Sequence, residues 1–125
     1  MNLTEHFTLQ ELTFSKYAQD NNINNHPTDP DILANLQVLA EGMERVRACV
    51  HSPIIVSSAY RAPKTNSGVH GSVNSAHMFG LACDFNVRGI TSRQAASIIA
   101  MNFVNIQYDQ LILEFPDSNN SWVHI

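Results

Sequence analysis

The feature that most constrains this fold is one apolar stripe. Ile32, Leu36, Leu39, Met43, Val46 and Val50 recur in steps of four, three, four, three and four. That spacing returns each time to the same side of an α-helix. It predicts one helix over about residues 31–50, stopped by Pro53. A helix with a single apolar face must bury it against a second layer. The next segment offers one: Ile54-Ile55-Val56-Ser57-Ser58 is a β-branched run and reads as a buried strand.

The other elements follow from local signals. Thr8-Leu9-Gln10-Glu11 is a capping-box pattern, which starts a short helix near Leu9. Asp20 to Pro30 and Ala62 to Ser75 are rich in turn formers and read as loops, the second one long. Leu81 to Val87 reads as a strand with Ala82, Asp84 and Asn86 on one face and Cys83, Phe85 and Val87 on the other. Thr91-Ser92-Arg93-Gln94 is a second capping box, opening a helix with Ala95, Ile98, Ile99 and Phe103 inward. Gln110 to Phe115 and Trp122 to Ile125 complete the strands, joined by the polar turn Asp117 to Ser121. Helices first, then strands with one helix between them, predict an α+β fold: a small antiparallel sheet flanked by helices, with a site on its open face. A length of 125 residues fits one domain, 1–125.

Composition excludes several functions. The net charge is −4, and the seven Lys and Arg residues never cluster, so a nucleic-acid partner is not expected. No run approaches the roughly 18 apolar residues of a membrane span. Met1-Asn2-Leu3-Thr4-Glu5 has neither a basic start nor an apolar run, so no signal peptide and a cytoplasmic origin are expected. Cys49 and Cys83 make no disulfide framework and read as buried free thiols. A monomer is expected.

The chemistry concentrates in His77, Asp84 and His124. Two imidazoles and one carboxylate are the donor set of an open zinc site, which takes three ligands from protein and leaves a fourth position free. Such a set points to metal-assisted hydrolysis. His6, His26 and His51 fall near helix ends or in loops and read as surface residues. His70 is an alternative to Asp84 as a ligand, although it sits in a turn-rich loop.

Ser75-x-His77-x-x-Gly80-x-Ala82-x-Asp84, followed by Trp122-x-His124, resembles the zinc D-Ala-D-Ala carboxypeptidase family. VanX-type dipeptidases and phage L-alanyl-D-glutamate endopeptidases belong to it, and the Hedgehog signalling domain shares its fold. Ser57-Ser58-Ala59-Tyr60-Arg61 is similar to the family's Ser-Gly-Tyr-Arg segment. Phe7-Thr8-Leu9-Gln10-Glu11-Leu12 and Asn25-His26-Pro27 resemble the branch carried by phages and prophages. The resemblance implies Zn2+ on His77, Asp84 and His124, and a peptidoglycan stem peptide as substrate. It also implies that Ser75 lies beside that peptide, that Arg61 stabilises developing charge, and that Gly80 lets the chain pass close to the metal loop. Trp122 reads as either a core residue or a substrate platform.

Two departures matter. Many members carry an acid three residues before the last His, and that position here is Ser121. Glu114 is the nearest acidic residue on a strand and takes the general-base role, with Asp117 as its substitute. The chain also stops one residue after His124, which predicts a trimmed chain or a frayed edge strand. The missing acid leaves a second reading open, a zinc-containing wall-binding module or phage structural component with little or no activity. As an enzyme, the protein would reach the wall through a holin or as part of a phage particle.

Overall fold

A computed structural model describes residues 1–125. Helices α1 (Leu9–Thr13), α2 (Lys16–Asp20) and α3 (Pro30–Val50) come first. Strand β1 (Ile54–Ser58), helix α4 (Pro63–Gly68), a 3-10 turn (Ala76–Phe79) and strand β2 (Asp84–Val87) follow. Helices α5 (Ser92–Met101) and α6 (Phe103–Ile106) then lead to strands β3 (Ile112–Glu114) and β4 (Trp122–His124). All pairings are antiparallel, in the order β1-β2-β4-β3. This is the α+β architecture expected, a small antiparallel sheet flanked by helices.

The long helix forms where the stripe places it. Asp29 caps it by accepting the Asp31 N–H, Pro30 occupies the first turn, and His51 ends it in a left-handed conformation at φ 56°. Leu36, Met43, Val46 and Val50 are buried, and Ile32 and Leu39 pack partly buried against the same cluster. That cluster includes Phe85, Val87 and Val123 from the inner face of the sheet. Each large stripe side chain contributes about 1.5–3 kcal/mol by leaving water.

Several expectations need correction. The segment Ala62 to Ser75 is not all loop: Pro63 opens α4, whose Thr65 and Asn66 are buried. Ser15 caps α2 inside a stretch with no clear periodicity. The second strand begins at Asp84 rather than Leu81, because the 3-10 turn and a left-handed Gly80 occupy the preceding residues. The third runs over Ile112–Glu114 rather than Gln110–Phe115 and ends where Phe115 turns to φ 50°. The Thr91 capping box is present with both of its hydrogen bonds, but α5 ends at Met101. Phe103 therefore lies on α6, half exposed against the ring of Tyr108 instead of facing inward.

The terminal strand is not a frayed edge. β4 lies inside the sheet, where His124 opposes Asp84 on one side and Ile112 on the other. Ile125 exchanges two backbone hydrogen bonds of 3.0 Å with Cys83, extending that ladder by one pair.

Candidate metal centre

Residues that pair across an antiparallel ladder project to the same face. Phe85 and Val123 form one such pair and are fully buried in the core. Asp84 and His124 form the neighbouring pair and therefore face the other way. Across β3, Ile112 pairs with His124 and Glu114 with Trp122, so Glu114 and Trp122 also share the face of His124. On the far side of β2 the register shifts between Val56 and Ser58, setting Ser58 opposite Asp84.

His77 reaches this face from the 3-10 turn. Ser75 caps the turn by accepting the His77 N–H at 3.2 Å, and the Arg61 N–H donates to the His77 carbonyl at 3.0 Å. Gly80 closes it at φ 71°, where an added Cβ would lie 3.1 Å from the Ile32 carbonyl oxygen and 3.1 Å from Leu36 Cγ. The turn is thus pressed onto the long helix, and both backbone shape and space favour glycine there.

The three side chains converge. One ligand atom from each of His77, Asp84 and His124 lies within 4.8 Å of the others. His77 Nε2 is 3.3 Å from Asp84 Oδ2, and His124 Nδ1 is 2.7 Å from Asp84 Oδ1. His77 is buried, and Asp84 and His124 are largely buried, with 13% and 15% of their side chains exposed. Burial works against the Asp84 charge, but hydrogen bonds from His124 and His77 outweigh it and hold the carboxyl at about 2.

The hydrogen-bond pattern fits a cation. His77 Nδ1 donates to the Ala59 carbonyl oxygen at 2.6 Å, and His124 Nε2 donates to Gln110 Oε1 at 2.9 Å. A neutral imidazole carries one N–H. With that proton held on the outer nitrogen, the inner nitrogen of each ring presents a lone pair towards the carboxylate. A bound cation would take those lone pairs together with the carboxylate; without one, a second proton on the inner nitrogen makes the hydrogen bond to Asp84. Tetrahedral zinc with bonds of about 2.0–2.1 Å would set its ligand atoms roughly 3.3 Å apart; the His77–Asp84 distance of 3.3 Å has that spacing, and the 2.7 Å between His124 and Asp84 would open on binding.

Around the cluster, Arg61 is half-buried and donates through Nη2 to Ser75 Oγ at 3.2 Å. Burial lowers the guanidinium pKa and the nearby Asp84 charge opposes that shift. Its Nε is buried without a protein partner. Glu114 is half-buried, whereas Asp117 is fully exposed, 3.8 Å from Arg93. Trp122 is half-buried and its ring stacks obliquely on Phe115 at 5.2 Å. Ser121 offers its carbonyl to Ser92 Oγ at 3.1 Å. His70 is exposed at φ 61° and is not part of the cluster.

Three contributors are not identified by the sequence reading. Gln110 is one, although Gln110, Ile112 and Glu114 alternate as residues of one strand face do. The Ala59 carbonyl is another, and nothing in a sequence marks a backbone acceptor. Asn25 is the third: its Nδ2 donates to the carbonyls of Thr13 at 2.8 Å and Tyr60 at 3.1 Å, and its Oδ1 accepts the Ala62 N–H at 2.8 Å. It clasps the backbone on both sides of Arg61. A groove of about 340 Å³ leads away from His124, lined by Val38, Leu39, Met43, Tyr108 and Gln110 among others.

Fold and cluster together define a small α+β protein arranged around a two-histidine, one-carboxylate centre. The Peptidase M15 family model matches residues 5–125, and the chain belongs to that family, whose members are zinc-dependent and act on peptidoglycan-derived peptides. No individually curated protein matches the chain.

Proposed function

We propose that this protein is a zinc peptidase that hydrolyses peptidoglycan stem peptides, as a D-Ala-D-Ala carboxypeptidase or an L-Ala-D-Glu endopeptidase. The observation that carries the reading is the convergence of His77, Asp84 and His124 on one open sheet face within a family-wide match. These residues would hold the metal. Zinc there would supply Lewis acidity towards a peptide carbonyl and towards water.

The chain's own residues supply the rest. Glu114 shares the face of His124. Its carboxylate takes a proton from the attacking water and returns it to the nitrogen of the leaving amine. The Arg61 guanidinium, fixed by Ser75, faces the oxygen that gains negative charge as the carbonyl is attacked, and a fixed cation in a half-buried site stabilises that charge strongly. Ser75 orients the peptide, and Trp122 gives it an apolar wall. Asp117, fully exposed beside Arg93, is the weaker choice for the base.

Ser121, in place of an acid, supports a second reading, a wall-binding module that keeps the metal without turnover. One experiment separates the two. Zinc-loaded protein is incubated with purified walls and the muropeptides are analysed by mass spectrometry. Products cut at one stem-peptide bond support the peptidase and identify the bond. Full zinc occupancy with intact stem peptides supports the binding module.

A further inference from the structure

We propose that Gln110 is a positioning residue for the metal centre: its amide oxygen holds the Nε2–H of His124 and so commits Nδ1 of that ring to the metal. The inference rests on the metal-centre reading above and goes beyond it in assigning a tautomer, a ligand atom and the side chain that sets both.

The two imidazoles are presented in opposite senses. His77 turns Nε2 towards Asp84 and Nδ1 towards the Ala59 carbonyl. His124 turns Nδ1 towards Asp84, at 2.7 Å, and Nε2 towards Gln110 Oε1, at 2.9 Å. An acceptor on the outer nitrogen fixes both the ring orientation and the location of its single proton. For His77 that acceptor is backbone and does not depend on side-chain identity. For His124 it is a side chain, so one residue outside the ligand set controls a ligand.

The chemistry of the amide matters as well. A carboxylate in this place would also accept the proton, but it would add a negative charge beside a site that already holds Asp84. A neutral amide orients the ring and leaves the charge of the centre unchanged. Gln110 lies in the short link from α6 to β3, two residues before Ile112, and the link turns through a left-handed Gln107 at φ 56°. Both Gln110 and His124 border the groove that leaves the cluster, so the contact lies where the groove meets the metal centre.

The test measures zinc binding rather than turnover. Zinc dissociation constants are determined by chelator competition for the full chain and for Gln110→Leu and Gln110→Glu. Long-range 1H–15N spectra of the zinc-loaded wild type report which nitrogen of His124 carries the proton. Gln110→Leu is expected to bind zinc about 10–100-fold more weakly, and Gln110→Glu to recover most of that loss. The wild-type spectrum is expected to show Nε2 protonated and Nδ1 bound to metal. Unchanged affinity in Gln110→Leu, or a His124 bound through Nε2, overturns the inference while leaving the metal centre intact. The wild-type spectrum decides the matter even if Gln110→Leu does not fold. A wild-type chain that binds no zinc overturns the functional reading, and this inference with it.

Discussion

Arg61 Nη2 donates to Ser75 Oγ at 3.2 Å, and the same oxygen accepts the backbone N–H of His77 at 3.2 Å. One hydroxyl therefore ties the guanidinium to the turn that carries His77. With two hydrogen bonds accepted, Ser75 still has its own proton to donate to a peptide. Arg61→Ala is expected to keep zinc and to lose about 10²–10³-fold in turnover, the usual effect of removing one charge-stabilising donor. Steady-state kinetics together with elemental analysis checks both halves. Loss of zinc in Arg61→Ala would show that the residue supports the turn more than the reaction.

The ligand assignment predicts one zinc per chain. His77→Ala and His124→Ala are each expected to lose it, whereas His70→Ala is expected to retain it, since His70 is exposed and outside the cluster. Metal content after gel filtration reads the result. A His77→Ala protein with full zinc would remove His77 from the ligand set.

Glu114→Gln preserves shape and removes the basic oxygen. It is expected to hold zinc normally and to turn over about 10²–10⁴-fold more slowly, the usual contribution of a general base. Asp117→Asn is expected to behave as wild type. The reverse outcome would move the base to Asp117.

Core stability should follow the α3 stripe. Leu36→Ala leaves a cavity at a fully buried position and is expected to cost about 2–5 kcal/mol. Val38→Ala, on the exposed side of the same helix, is expected to change stability by less than about 0.5 kcal/mol. Urea denaturation of both variants provides the comparison.

Cys83 should be inert while the protein is folded. It is fully buried, and burial first, then the charges of Asp84 and Glu11, push its thiol pKa far up. The folded pKa lies above the unfolded one, so this contribution to stability is complete below the ordinary thiol range and is lost progressively as pH rises from that range towards the raised folded value. Alkylation at pH 8 to 9 is expected to leave Cys83 unmodified in native protein and to label it in urea, with peptide mapping as the readout.

The long helix, the β1 run and both capping boxes are legible because each depends on local chemistry. The alternation across Asp84, Phe85, Asn86 and Val87 also places Asp84 on the open face without any coordinates. What is not legible depends on partners distant in sequence. The Ala62 to Ser75 segment hides α4, whose buried Thr65 and Asn66 carry no apolar pattern. Phe103 looks inward only if the helix continues past Met101, and Asn102 interrupts it. The inner position of β4 depends on pairing with two strands, which no local pattern in Trp122-Val123-His124 encodes. The clustered residues His77, Asp84 and His124 stand out by their types and order, but the acceptors behind the two rings are a backbone oxygen and a glutamine with no motif.

The strand order has a kinetic consequence. β2 and β4 are joined by a short ladder, Asp84 with His124 and Phe85 with Val123, extended only by the Cys83–Ile125 pair, although two helices and β3 intervene in the chain. Closing so long a loop costs entropy before the short ladder returns any energy, which slows the step. Two of the three proposed metal ligands, Asp84 and His124, lie on this same ladder. Assembly of the centre and closure of the sheet are therefore a single event, and a captured ion would act as a latch on the slowest seam of the fold. Loss of the ion would first loosen the backbone amides of β2 and β4, long before the helical layer releases its own.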